Sequence, residues 1–306
     1  MGIYFRMIHR ILFIFLAFIF FSCEGKKENI PAFLHIEKIG LRIDPLGGQG
    51  SNDSKITDAK VFANDQLVGI FELPVNVPIL ETGNIEIKIS PVIKNNGISN
   101  ERIVYPFYTD FSANMNLVAG VVNDFPAIEN TVLENGLYHP LVTYFPDAYD
   151  FWLEDFELGA DFKFDSIQGS DVNIKSVSFD SLQYINGGFS CGQVIVDESH
   201  PHFLIRNRTD IEINKSFKVY LEVNYRTNCI ISVGLYETFP ELKKIYLGKG
   251  VNPSLEWNKI YIELTNEANF AVNGTAFQFY FEGDKPPGED GFLYIDNVKL
   301  IYPKDE

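Results

Sequence analysis

Hydrophobic and polar residues alternate along most of the chain. Isoleucines alternate with polar residues at 84–90, and the same period of two recurs at 218–225 and 259–265. Because successive side chains of a strand point to opposite faces, this pattern predicts strands with one buried face. No segment has the periodicity of an amphipathic helix longer than two turns, so we predict an all-β protein.

Short turn signals separate the predicted strands. Asn- and Gly-rich pairs occur at 95–97, 187–188 and 273–274, where a chain reverses between strands. Many short strands joined by such turns are typical of β-sandwiches. We predict two domains, at 32–147 and 148–306.

The first thirty residues follow a different pattern. Arg6 and Arg10 precede an apolar run at 11–21, which ends at Ser22-Cys23 and is followed by polar residues. A bilayer core needs roughly 20 helical residues to cross it. The run is too short to span the core, but it fits the apolar region of a signal peptide.

The end of this run resembles the cleavage site of lipoprotein signal peptides, as found in Bacteroidetes surface lipoproteins. Phe20-Phe21-Ser22-Cys23 stands in the lipobox position. The resemblance implies a signal peptide at 1–22, an acylated Cys23 and a flexible tether at 23–31. We therefore expect a lipid anchor in the outer membrane, on its periplasmic face or at the cell surface. The alternatives are an ordinary cleaved signal and an uncleaved anchor.

The composition restricts the possible partners. The chain has 25 Lys and Arg against 41 Asp and Glu, a net charge of −16. Such a surface repels the phosphates of nucleic acids and anionic lipids. We expect no nucleic-acid partner, and a lipid chain rather than a basic patch at the membrane. Neutral sugars, cationic groups and divalent cations remain compatible.

The first domain contains a strand–turn–strand pattern at 58–71 that resembles small immunoglobulin-like and PEGA-like β-domains of surface proteins. The resemblance implies an immunoglobulin-like β-sandwich. A Gly-rich segment at 47–53 lacks the Gly-Lys-Ser/Thr ending of a phosphate loop. We expect it to be a flexible hairpin tip.

The second domain resembles the β-jelly-roll of carbohydrate-binding modules and galactose-binding-like domains. Four patterns occur in the expected order: an opening "FE-x-G" at 155–159, a central hairpin at 217–236, a Trp-containing strand at 256–264 and a closing strand at 291–300. The resemblance implies a jelly-roll sandwich. It also implies a structural Ca²⁺ bound by Glu157 and Asp296 where the first and last strands meet; otherwise these acids cap turns or face water.

Binding of a sugar requires aromatic side chains that stack on its C–H faces, flanked by polar groups. Five residues fall on predicted strands or tips that could line such a site: Tyr184, Tyr225, Arg226, Tyr236 and Tyr246. The alternative role of each tyrosine is packing in the core or at its rim.

One segment matches a motif of hydrolases. Gly188-Phe-Ser-Cys-Gly192 fits G-x-S-x-G, but a nucleophile elbow needs a following helix, whereas 193–197 has a strand pattern. His200 and His202 could be metal ligands, but a surface loop is the simpler interpretation. We predict that the protein is not an enzyme.

Two cysteines remain besides Cys23. Cys191 and Cys229 lie in separate predicted strands of the second domain. An oxidising compartment would allow a disulfide between them, and two buried thiols are the alternative.

These features favour a non-catalytic, membrane-anchored lipoprotein that binds a glycan or cell-envelope polymer through its jelly-roll. The alternative is a structural or assembly lipoprotein that contacts another envelope protein.

Overall fold

The computed structural model describes residues 30–304 except 45, 147, 179–187, 216 and 246–247. This part of the chain contains twenty-four strands, one 3₁₀ turn at Gly159–Asp161 and one short helix, α1, at Thr265–Phe270. The all-β prediction is confirmed. None of the helical segments in these described ranges has the length and hydrophobicity needed to cross a bilayer.

The first sandwich contains eleven strands. They are β1 Ala32–Ile36, β2 Gly40–Arg42, β3 Asp58–Ala63, β4 Gln66–Glu72, β5 Val75–Ile79, β6 Gly83–Lys94, β7 Arg102–Val104, β8 Phe111–Leu117, β9 Val122–Asn123, β10 Thr131–Glu134 and β11 Leu137–Thr143. One layer has the order β4-β3-β6, with β7 and β8 on the far edge of β6. The other consists of the sheets β5-β1-β9 and β10-β11-β2. The isoleucines that alternate along β6 are buried between the layers, as expected for an immunoglobulin-like β-sandwich.

The second sandwich contains thirteen strands. They are β12 Tyr149–Glu154, β13 Phe164–Ser166, β14 Lys175–Ser178, β15 Ser190–Val196, β16 His202–Asn207, β17 Ile211–Glu212, β18 Tyr220–Thr227, β19 Ile231–Phe239, β20 Lys243–Lys244, β21 Lys249–Val251, β22 Ser254–Glu263, β23 Ala276–Asp284 and β24 Gly291–Pro303. Sheet I has the order β14-β15-β24-β18-β22, with β12 also paired to β24. Sheet II has the order β13-β16-β23-β19-β20, with β17 on β23 and β21 on β19.

The order of these strands is that of a jelly-roll. From β15 to β24 the long strands alternate between the sheets, because β15, β18, β22 and β24 lie in sheet I and β16, β19 and β23 lie in sheet II. Neighbours within a sheet therefore come from distant parts of the chain. The apolar side chains between the sheets form one core that includes Phe164, Phe203 and Phe279. The predicted jelly-roll is confirmed.

The two sandwiches meet at a junction where the first one packs against the outer face of sheet I. Tyr220, Tyr261 and Ile301 of sheet I are buried in the hydrophobic core of the first sandwich. The rings of Tyr105 and Tyr220 lie 5.3 Å apart in an edge-on arrangement. Burial of large aromatic groups at such a contact favours association of the two sandwiches.

The junction also buries charged groups. Glu222 is fully buried, and its Oε1 accepts hydrogen bonds from the hydroxyls of Tyr105 at 2.9 Å and Tyr144 at 3.0 Å. Its Oε2 pairs with the Lys259 ammonium at 3.0 Å. The Lys299 ammonium donates to the Tyr144 hydroxyl at 2.8 Å. A network of ions and hydroxyls thus connects the two sandwiches.

The Gly-rich segment, expected to be a hairpin tip, lies instead against sheet I. The Ser51 carbonyl accepts a hydrogen bond from Lys299 at 3.2 Å, and Asp53 accepts one from the Asn224 amide at 2.7 Å. A Cβ on Gly50, which has a φ of +71°, would lie 3.1 Å from a methyl group of Leu153. The glycines permit a close approach between loop and sheet.

Of the two alternatives for Cys191 and Cys229, the structure contradicts the disulfide and has the two buried thiols, because both cysteines are free and buried. Cys191 precedes Gly192, which pairs with Ile295 of β24, whereas the Cys229 sulfur lies next to Gly291 on the same strand. At about 3.3 Å per residue along β24, the two thiols are separated by well over 10 Å. A disulfide needs Cα atoms within about 7 Å.

Candidate functional site

The structure describes three of the five residues predicted to contact a sugar. Tyr225 and Arg226 lie on β18 of sheet I, and Tyr236 lies on β19 of sheet II. Tyr184 and Tyr246 lie outside the described residues, as does Cys23. Tyr225 lies in the core, whereas Arg226 and Tyr236 lie on the outer faces of different sheets, so the fold does not bring the three together.

Tyr225 points between the sheets. Its ring is part of the core and only 4% of the residue is exposed. Its hydroxyl accepts a hydrogen bond from the Asn258 amide at 3.3 Å, which places the hydroxyl at the wall of a cavity beside the junction. Packing in the core is therefore the main role of this ring.

Arg226 lies on the outer face of sheet I, beyond the part that the first sandwich covers. Its guanidinium lies 5.7 Å from the ring of Phe292, and the rings of Phe292 and Tyr294 are 5.5 Å apart. Ile195 on β15, the strand that pairs with β24, is 44% exposed, and Leu255 on β22 is 63% exposed. We call these five residues the sheet I patch. It is mostly apolar.

Tyr236 lies on the outer face of sheet II because β19 alternates. Val233 and Leu235 point into the core, so Tyr236 points outward. The Arg206 guanidinium lies 5.4 Å from the Tyr236 ring centroid. Tyr280 contacts the same ring edge-on, with centroids 5.4 Å apart. The guanidinium thus lies over the Tyr236 ring in a cation–π contact.

Charged side chains surround this pair. The Lys244 ammonium lies 2.5 Å from the Glu282 carboxylate, and a His202 nitrogen lies 3.7 Å from the same carboxylate. His202 Nδ1 lies 2.8 Å from Asp284. We define the sheet II face as these outward side chains together with their polar neighbours. Its members are His202, Arg206, Tyr236, Thr238, Lys244, Gln278, Tyr280, Glu282 and Asp284.

Several polar atoms on the sheet II face lack a partner among the described residues. They are Nη1 of Arg206, Oγ1 of Thr238 and Oε1 of Gln278, each shielded from water. A shielded polar group without a hydrogen bond costs about 1–3 kcal/mol. The face therefore holds unused donors and acceptors beside an aromatic ring.

Among the described residues, the first sandwich contacts the jelly-roll through sheet I and not through the sheet II face. Every hydrogen bond between described residues that joins the first sandwich to the jelly-roll strands reaches sheet I, as at Glu222, Tyr261 and Lys299. One outer face of the jelly-roll is thus partly used for packing, and the opposite face is not used for this contact. A sheet face that carries aromatic and polar side chains side by side is a candidate binding site.

Tyr236 is the one member of this face that the sequence predicted to contact a sugar. Gln278, Tyr280, Glu282 and Asp284 alternate with the core residues of β23. This alternation in the sequence predicts that β23 has one polar face. The proximity of this polar face to Arg206 could not be predicted from the sequence, because β16 and β23 pair although they are far apart along the chain.

The two predicted calcium ligands line one cavity of about 360 Å³ together with Glu154 and Asp155. Glu157 Oε1 accepts backbone N–H groups of Phe189 at 2.7 Å and Ser190 at 2.9 Å. Asp296 Oδ1 accepts the N–H of Asn297 at 2.6 Å. Among the described residues, no group of three or more His, Cys, Asp or Glu side chains is arranged to hold a metal. The calcium site stays a prediction.

The hydrolase-like motif has a structural explanation. Ser190 begins strand β15, so no helix follows it as a nucleophile elbow requires. The Phe156 ring packs on Gly192, where a Cβ would lie 2.5 Å from ring atom Cζ. His200 lies 3.2 Å from Asp197 in its own turn. The second glycine of the motif therefore makes room for an aromatic ring.

No protein family and no curated protein matches this chain. Among solved structures, a family 61 carbohydrate-binding module in complex with β-1,4-galactotriose is similar over 49% of this chain and 95% of its own, at 13% identity and a TM-score of 0.31. A family 29 carbohydrate-binding module complexed with mannohexaose is similar over 51% of this chain and 93% of its own, at 11% identity and a TM-score of 0.33. An exo-β-agarase is similar over 51% of this chain and 26% of its own, at 10% identity and a TM-score of 0.37. These scores are too low to assign a ligand, and the fold is assigned from the strand order.

Proposed function

We propose that this protein binds a glycan through the sheet II face of its jelly-roll. The observation that carries the proposal is the cation–π pair of Tyr236 and Arg206 surrounded by the polar side chains of the sheet II face. A pyranose ring has an apolar C–H face and hydroxyls around its rim. The Tyr236 ring covers the first, and the surrounding donors and acceptors bind the second.

We also propose where this binding takes place. The pattern at residues 1–23 supports export and acylation at Cys23, which would hold the protein in the outer membrane. The role is a non-catalytic one, supported by Ser190 being the first residue of a strand. A structural Ca²⁺ at Glu157 and Asp296 is part of the same proposal.

The glycan proposal is tested with a glycan array and a pull-down on insoluble polysaccharides. We expect retention of the wild-type protein, and at least tenfold weaker binding by Tyr236→Ala, which corresponds to about 1.4 kcal/mol. Tyr294→Ala is the matched control, since it removes a tyrosine from the outer face of sheet I. Absence of retention on every polysaccharide, or equal losses in the two variants, contradicts the proposal.

The second candidate function is contact with an envelope protein through the sheet I patch. It is favoured by the exposed apolar side chains of Ile195 and Leu255 beside the ring of Phe292. Crosslinking in cells separates the candidates. One stoichiometric protein partner that is lost in Ile195→Asp favours this function.

A further inference from the structure

A cavity of about 350 Å³ lies at the junction, between β22 of sheet I and the end of β6. Six of its lining residues carry ammonium or amide groups: Lys55, Lys94, Lys259, Asn96, Asn252 and Asn258. None of its lining residues is Asp or Glu, although the chain has 41 acidic residues. The cavity is thus a basic, amide-rich site in an acidic protein.

Two of the three lysines are already neutralised. Lys94 pairs with Glu72 at 3.3 Å, and Lys259 pairs with the buried Glu222 at 3.0 Å. Lys55 forms no ion pair with any described carboxylate, and its ammonium donates only to Oδ1 of Asn258. Lys55 is an exposed residue that lines the cavity, so its ammonium, which has no anionic partner among the described residues, is accessible to an incoming anion.

The surroundings of Lys55 strengthen this argument. Burial lowers the pKa of Lys55, and the nearby ammonium of Lys94 lowers it further. The position is fixed, because the backbone N–H of Lys55 donates to the Tyr261 hydroxyl at 2.9 Å. A bound oxyanion would offset the repulsion between the ammonium groups of Lys55 and Lys94.

The amide groups indicate what else the ligand carries. Asn258 also donates to the Tyr225 hydroxyl, so its side chain is held against the cavity wall. Asn96 and Asn252 add further amides, which donate to and accept from hydroxyls. The volume lies in the range of small-molecule sites and suits about one sugar ring.

We propose that this cavity binds an acidic sugar residue, with Lys55 contacting its carboxylate or sulfate and the asparagines contacting its hydroxyls. The site is distinct from the sheet II face, so it goes beyond the proposed function. It would be formed by both sandwiches, because Lys55 belongs to the first and Asn258 to the second.

The test is calorimetric titration of the mature protein with glucuronate, glucose 6-sulfate, glucose and inorganic sulfate. We expect glucuronate or glucose 6-sulfate to bind at least tenfold more tightly than glucose, and more tightly than inorganic sulfate. The two acidic sugars distinguish the carboxylate from the sulfate. Lys55→Gln should weaken binding at least tenfold. Lys243→Gln, which removes the same charge from exposed β20, should not.

Equal binding of glucose and the acidic sugars overturns the proposal, as does unchanged binding by Lys55→Gln. Binding of inorganic sulfate as tight as that of the sugars would also overturn it, because it indicates a simple ion site. Asn258→Asp is a second variant, which places a carboxylate beside Lys55 and should compete with the ligand. Tyr236→Ala should bind the acidic sugar normally, which separates a failure of this proposal from a failure at the sheet II face.

Discussion

Glu222 is an ionised carboxylate with no access to water. Burial opposes its ionisation, but the ammonium groups of Lys259 and Lys299 outweigh that effect and hold its pKa below the usual value. These three side chains lie on the polar face of alternating strands, where the sequence predicts exposure to solvent. A period of two identifies two faces of a strand but not what covers the polar one. The buried network was therefore not predictable from the sequence.

Lys299 gives this network a dependence on pH. Burial lowers its pKa to about 7, although Glu222 raises it. The unfolded chain keeps this proton up to a pH of about 10. Between pH 7 and about 9.5 the unfolded state binds more protons, so the free energy of unfolding should rise with pH, by at most about 1.4 kcal/mol per pH unit.

Urea unfolding at a series of pH values checks this prediction. Lys299→Met should remove the rise, because methionine does not titrate. A variant with the same slope as the wild type would show that Lys299 is not the group responsible. Lys243→Gln is the matched control and should keep the slope.

Strand β15 shows how an element can imitate a catalytic motif. The sequence shows a glycine at 192 but not why a glycine is needed there. The ring that packs on it belongs to Phe156, which comes from another part of the chain and has a φ of +58°. Strand positions in the jelly-roll were predictable from alternation. The close contacts that require a glycine at a given position depend on tertiary packing, which alternation does not predict.

Gly192→Ala should therefore destabilise the fold. Its Cβ would overlap the Phe156 ring, and overpacking of this kind costs about 1–3 kcal/mol. Ser190→Ala should cost less than about 0.5 kcal/mol. Thermal and urea unfolding of both variants measure the difference. Equal stability of the two would mean that the ring moves away at little cost.

At the scale of the molecule, the two sandwiches should unfold together. The sequence predicts two sandwiches, but it does not show that Tyr220 and Tyr261 complete the core of the first one. Separation would expose these rings and leave Glu222 without the hydroxyls of Tyr105 and Tyr144. Exposure of a large buried aromatic side chain to water costs about 1.5–3 kcal/mol for each ring.

Calorimetry of the protein should accordingly show one transition, with equal calorimetric and van't Hoff enthalpies. Glu222→Ala should weaken the contact and shift that transition to lower temperature. Two well-separated transitions in the wild-type protein would show that the junction contributes little to stability.

The position of β24 in sheet I bears on how the chain is made. Its partners β12, β15 and β18 all precede it, and it lies between them in the finished sheet. Until the ribosome has released Gly291–Pro303, the edges of those three strands have no neighbour there. Pairing between distant segments is slow. Sheet I is therefore expected to be completed only after Gly291–Pro303 has been synthesised, with its earlier strands left without a central partner until then.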